Sequence, residues 1–174
     1  ADLRAFRNMG LRLDLLLNAS CYGRESLSQY LANRVSSLVA HLTETVALDL
    51  VTTTSLFIAQ VLKRRFPSLE VRASVNMRIG TVGALECLAD LFDSFIMQRE
   101  FNRDLRRAAD LRAWCDAHGK KLTMLANSGC LAFCPAQTFH DNLVAHARDI
   151  DQMLNVEGAE PVLCRRHYAA PQHW

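Results

Sequence analysis

The sequence predicts an α/β fold built on a parallel sheet, of the (β/α) barrel or TIM type. Three observations carry that prediction. Short apolar segments alternate with amphipathic helical stretches five times along the chain. The connections are short, so each strand runs parallel to the next through a right-handed crossover. No glycine-rich phosphate loop follows the first strand, and Gly80 and Gly83 come only after the third. A doubly wound sheet therefore lacks its usual dinucleotide fingerprint. A complete eight-unit barrel takes roughly 200 residues or more. Five units in 174 residues are most of one, so the expectation is a single domain over 1–174 forming an incomplete or truncated barrel.

Residues 1–9 read as the end of a helix, with Leu3 and Phe6 apolar and Gly10 as punctuation. Residues 11–17 form the first strand, and residues 18–23 a polar turn. A helix over 25–43 follows, because Leu31, Val35, Leu38 and Leu42 recur on one face. Residues 46–51 form the second strand. Thr52, Thr53 and Thr54 offer a turn and a helix cap before a helix over 55–66, with Ile58, Val61 and Leu62 inward and Pro67 as its stop. Residues 69–75 alternate as the third strand, 76–80 turn, and 82–92 form a helix with Leu85, Leu88, Ala89 and Phe92 on one side. Residues 94–97 are the fourth strand and 98–102 its polar exit. The helix over 103–118 turns Leu105, Ala108, Leu111 and Cys115 inward, and Gly119 suits its C-terminal cap. Residues 121–126 are the fifth strand. Leu143, Ala147, Ile150 and Leu154 mark the helix after it.

Half the residues are hydrophobic and 22% are charged, which is globular composition. The net charge of +2 gives no strong nucleic-acid signal. The basic runs at Lys63–Arg65, Arg103 to Arg107 and Arg165–Arg166 read as solvated helix faces or tails. No apolar run is long enough to span a membrane. Six cysteines in a long chain with an apolar core point to reduced thiols and a cytoplasmic setting. Cys87 and Cys115 read as small core hydrophobes. The chain opens at Ala1 inside a helical pattern and stops at Trp174 without a closing element. A piece of a longer chain, or self-association that covers exposed sheet edges, is expected.

Chemistry in parallel α/β folds lies beyond the carboxyl ends of the strands. Those exits are polar here. They carry Asn18, Ser20, Cys21 and Tyr22, then Thr52–Thr54, then Asn76 and Arg78, then Arg99, Glu100, Asn102 and Arg103. The fifth exit carries Asn127, Ser128, Cys130, Cys134, His140, Asp141 and Asn142. Thr52–Thr54 and Asn102 could serve only as helix caps, and His140 and Asp141 only as first-turn residues. His146 reads as a surface helix residue. Asn18, Asn76, Arg99 and Asn127 are harder to dismiss together, since each follows a different strand.

Cys130 and Cys134 sit four apart in the turn after the fifth strand, and Cys164 lies thirty residues further on. Thiolates are soft ligands for zinc or iron–sulfur clusters. The three could hold a metal with a fourth ligand, either Cys21, at the same end of the sheet, or a residue beyond Trp174. The bland alternative is free thiols in a loop. Cys130 and His140 could equally form a nucleophile and base, if the fold brings them within hydrogen-bond reach.

The motif LANSGCLAFCPAQTFHDN, the segment VRASVNMRIGT, the exit IMQREFNRDL and the later Cys164-Arg-Arg together resemble the collagenase-like peptidase family. The matching positions are Asn127, Gly129 and Cys130, then Cys134-Pro135, His140 with Asn142, Arg99 with Asn102 and Arg103, and Cys164. The resemblance covers about residues 69–166. It implies a TIM-type barrel with its site at the strand ends and a peptidase or hydrolase activity. It also implies, for related proteins acting in hydroxylation of RNA or of quinone precursors, a four-cysteine [4Fe-4S] cluster. Cys130, Cys134 and Cys164 fit three of those ligands, and the fourth is unassigned. No H-E-x-x-H zinc helix and no G-x-S-x-G elbow is present.

Three classes of function follow. The first is a barrel enzyme on an unidentified substrate, with Cys130 and His140 catalytic and Asn18, Asn76, Arg99, Asn102, Asn127 and Asn142 binding substrate. The second is an iron–sulfur protein using Cys130, Cys134 and Cys164. The third is a non-catalytic scaffold.

Overall fold

The computed structural model describes residues 3–148 and Cys164. The expected positions Ile150, Leu154, Arg165 and Arg166 lie outside the described residues. Helix α1 (Leu3–Asn8) leads into β1 (Asp14–Leu17), α2 (Gln29–Val46), β2 (Leu50–Thr53), α3 (Leu56–Arg65), β3 (Glu70–Ala73), α4 (Val82–Leu88), β4 (Ser94–Ile96), α5 (Leu105–Ala117), β5 (Lys121–Thr123) and α6 (Gln137–Ala145). Short 3₁₀ turns occupy Gly23–Glu25, Val75–Met77 and Arg99–Phe101, each just after a strand.

All five strands are parallel and lie in chain order, β1 to β5. The order never reverses, so there is no switch point of the doubly wound kind. Right-handed crossovers in unbroken order keep α2, α3, α4 and α5 on one face of the sheet. That is the arrangement of consecutive units in a TIM-type barrel.

Val51, Val71, Ala73 and Phe95 point to the helical face and are fully buried. They meet Val39, Ile58, Leu62, Leu85, Phe92, Leu111 and Cys115 in one core. Burying each large side chain contributes about 1.5–3 kcal/mol. The opposite face presents two rows set by the register, Asp14–Leu50–Glu70 and Leu16–Thr52–Arg72–Ser94–Lys121. The polar residues of these rows are laced together. Glu70 accepts from Lys121 at 2.6 Å, from the Ser94 hydroxyl at 2.7 Å and from Arg12 at 3.1 Å. Thr52 donates to Asp14 at 2.8 Å, and Arg72 lies 3.5 Å from the same carboxylate. Burial alone would raise the Glu70 carboxyl. Donation from Lys121, Ser94 and Arg12 outweighs it and brings the group down to about 2.

Several expectations needed correcting. The second strand starts later than expected, because α2 runs on to Val46 and ends on Ala47 in the left-handed region (φ 52°). Thr52 and Thr53 are therefore strand residues, and Ser55 caps α3 by accepting from the Ile58 N–H. Cys115 is buried, but Cys87 is exposed. Cys87 lies two residues from the inward Leu85, which places it on the far side of α4. Leu38 and Leu105 are exposed as well, whereas Ala32, Val35, Ser36 and Val39 form the true inner stripe of α2.

Candidate functional site

Two hollows at the carboxyl end of the sheet hold residues singled out from the sequence. The first, about 580 Å³, is lined by Asn18, Ser20, Tyr22, Asn76, His140 and Asp141 among others. The turn after β1 is pinned by Tyr22, whose hydroxyl donates to the Leu17 carbonyl at 2.5 Å. Thr54 also donates to the Ala19 carbonyl. After β3, Ser74 caps the 3₁₀ turn by accepting from the Asn76 N–H at 3.3 Å. The Asn76 amide then donates to the Asn18 carbonyl at 3.4 Å, joining the first and third exits. Arg78 adopts a left-handed backbone (φ 56°), uncommon for a residue with a side chain. Its guanidinium donates to Thr138 at 3.2 Å and lies 3.9 Å from Asp141. Arg78 thus ties α6 across the strand ends and sets His140 into the hollow.

The second hollow is a cleft of about 270 Å³ lined by Arg99, Glu100, Asn102, Arg103, Ala126, Ser128, Cys130 and Ala132. Arg99 and Glu100 pair at 3.5 Å with only 13% and 3% of their side chains exposed. The exit turn that carries them is anchored by Phe101. Its ring lies under the Arg107 guanidinium at 3.8 Å and meets Phe133 edge-on at 5.8 Å. Gly80 makes room for that ring, since a Cβ there would lie 2.6 Å from it. Asn102 donates through its amide nitrogen to the Leu125 carbonyl, which fixes the amide orientation. Its Oδ1 is buried with no hydrogen-bond partner among the described residues. A buried acceptor of that kind calls for a donor from water or ligand.

The sequence predicted one cavity, and the structure distributes its residues over two. Asn18, Asn76 and His140 line the first, and Arg99, Asn102 and Cys130 line the second. Cys130 and His140 do not share a hollow. Asn127 and Asn142 are exposed and line neither. His140 and Asp141 lie in the middle of α6 rather than its first turn, because the helix begins at Gln137. His146, expected at the surface, is half-buried and lies against the Gly23 turn. Arg78, which the sequence places at the third exit, is the tie from that exit to α6. Thr138 had no signal in the sequence, since only the packing of α6 brings it to Arg78.

Cys130, Cys134 and Cys164 are all free. Among the described residues, no group of three or more His, Cys, Asp and Glu side chains is placed to hold a metal ion. Cys130, Cys134 and Cys164 as placed do not form such a group. No described helix is long and apolar enough to cross a membrane.

No protein-family model matches the sequence, and no curated protein is significantly similar to it. Among solved structures, the chain is similar to the U32 peptidase Mk0906, with a TM-score of 0.73 and 20% sequence identity. The likeness covers 89% of this chain and 63% of that one, so the chain spans less than two thirds of the longer protein. The chain therefore has the barrel-type α/β fold of a U32 peptidase over nearly all its length, with its polar exits gathered at one end.

Proposed function

We propose that the chain is a peptide-bond hydrolase whose substrate lies across the carboxyl ends of the strands. The observation that carries this reading is the cleft that Cys130, Arg99 and Asn102 line together at the strand ends. Arg99 suits a carbonyl or carboxylate of such a substrate. Support for the peptide class comes from the fold shared with a protein described as a U32 peptidase.

In this reading Cys130 is the nucleophile. Its thiol gives up a proton to solvent, and the sulfur adds to the scissile carbonyl. The amine leaves with a proton from water, and a second water hydrolyses the thioester. Asn18, Asn76 and His140 hold the flanking part of the peptide in the neighbouring hollow. His140 is thus a binding residue rather than the partner of Cys130.

Hydrolysis of fluorogenic collagen-derived peptides tests the proposal. Cys130→Ala should lower kcat/KM by at least about a hundredfold while circular dichroism stays unchanged. Arg99→Met should mainly raise KM. Hydrolysis by Cys130→Ala at the rate of the unaltered protein would sink the proposal.

A further inference from the structure

Cys21 stands apart from the other thiols. It lies in the turn after β1, half-buried, beside a hollow lined by Ser20, Thr54 and Ser55. Its sulfur accepts the Gly23 N–H at 3.3 Å. Gly23 takes a left-handed backbone (φ 55°) where the chain enters the 3₁₀ turn. His146, at the C-terminal cap of α6, packs on the same turn, with its ring 3.6 Å from where a Gly23 Cβ would be. The Gly23 N–H, followed by the imidazole hydrogen bond of His146, holds the Cys21 thiol below its ordinary range. Cys115 goes the other way, pushed up by burial in the core. Neither Cys21 nor His146 belongs to the cleft of Cys130, so this pair does not rest on the peptidase reading.

We infer that Cys21 and His146 form a nucleophilic thiol–imidazole site that takes small disulfides by thiol–disulfide exchange. The proton of Cys21 passes to His146, and the thiolate sulfur attacks one sulfur of the incoming disulfide. A new S–S bond forms to Cys21 as the old one breaks. The departing thiolate carries away the electron pair and takes up a proton. Cys21 is oxidised, the small disulfide is reduced, and no further oxidant is needed.

The probe is dithiodipyridine, whose released thiopyridone is followed by absorbance, with peptide mapping to locate the modified cysteine. At about pH 6, where an ordinary thiol is almost fully protonated, Cys21 should be modified first. His146→Gln should slow that fast phase at least about fivefold, and Cys21→Ala should abolish it. Denatured protein should yield all six thiols in every variant except Cys21→Ala, which separates lost reactivity from lost cysteine. Modification of exposed Cys87 or Cys130 ahead of Cys21, or a His146→Gln rate equal to the unaltered protein, overturns the inference.

Discussion

Glu70 is the residue on which the inner sheet face converges. It joins β3 to Ser94 of β4, Lys121 of β5 and Arg12 before β1. Its folded value of about 2 lies below its ordinary value of 4.5, so the carboxylate stabilises the fold fully above pH 4.5. That contribution is lost as the pH falls toward 2. Lys121 and Arg12 are more than half exposed, so the effect is discounted to about 1–2 kcal/mol. Glu70→Gln should lower stability by that amount at neutral pH and by little at low pH, as read by urea titration at both. Gly80→Ala should cost about 1–3 kcal/mol, because the added methyl meets the Phe101 ring. Its thermal midpoint gives the check.

Residue placements were legible where chain position alone set them. Asn76 and Arg99 stand at the strand exits as the sequence indicated. The pairing of Cys130 with His140 was not legible, because ten residues of turn and helix separate them and only packing decides which hollow each enters. Cys21 with His146 escaped for the same reason, since the two are distant in sequence and meet through the docking of α6.

At the scale of elements, the helices were set by their caps and the strands by their registers. Ser28, Ser55, Thr81 and Asp104 each accept a backbone N–H from the first turn that follows. Ser55→Ala should cost about 1 kcal/mol by chemical denaturation, with the slope of the transition unchanged. The type and order of the elements were readable from apolar periodicity, while their ends were not. Val46 belongs to α2 although its apolar neighbours suggested a strand, because the left-handed Ala47 delays the turn. Leu38 and Leu105 misled because a leucine fits either side of a helix, and neighbouring elements choose the buried stripe. Val39→Ala should therefore destabilise by about 1–3 kcal/mol, whereas Leu38→Ala should change stability little.

At the scale of the molecule, five parallel strands in unbroken order bring five polar exits to one end. That convergence followed from alternating strands and helices alone, and the likeness to a U32 peptidase agrees with it. The separation of Asn18, Asn76 and His140 from Arg99, Asn102 and Cys130 followed from tertiary contacts that no spacing encodes. Phe101 wedges between Gly80, Arg107 and Phe133 on one side, and Arg78 ties α6 down on the other.

The central claim is that a peptide lies across this end of the sheet. Hydrogen–deuterium exchange on Cys130→Ala with an excess of collagen-derived peptide tests it most directly. The account predicts protection of residues 18–22, 76–78, 99–103 and 126–132, with the helix-to-strand turns at 65–68 and 118–120 unaffected. Protection confined to those opposite turns would contradict it.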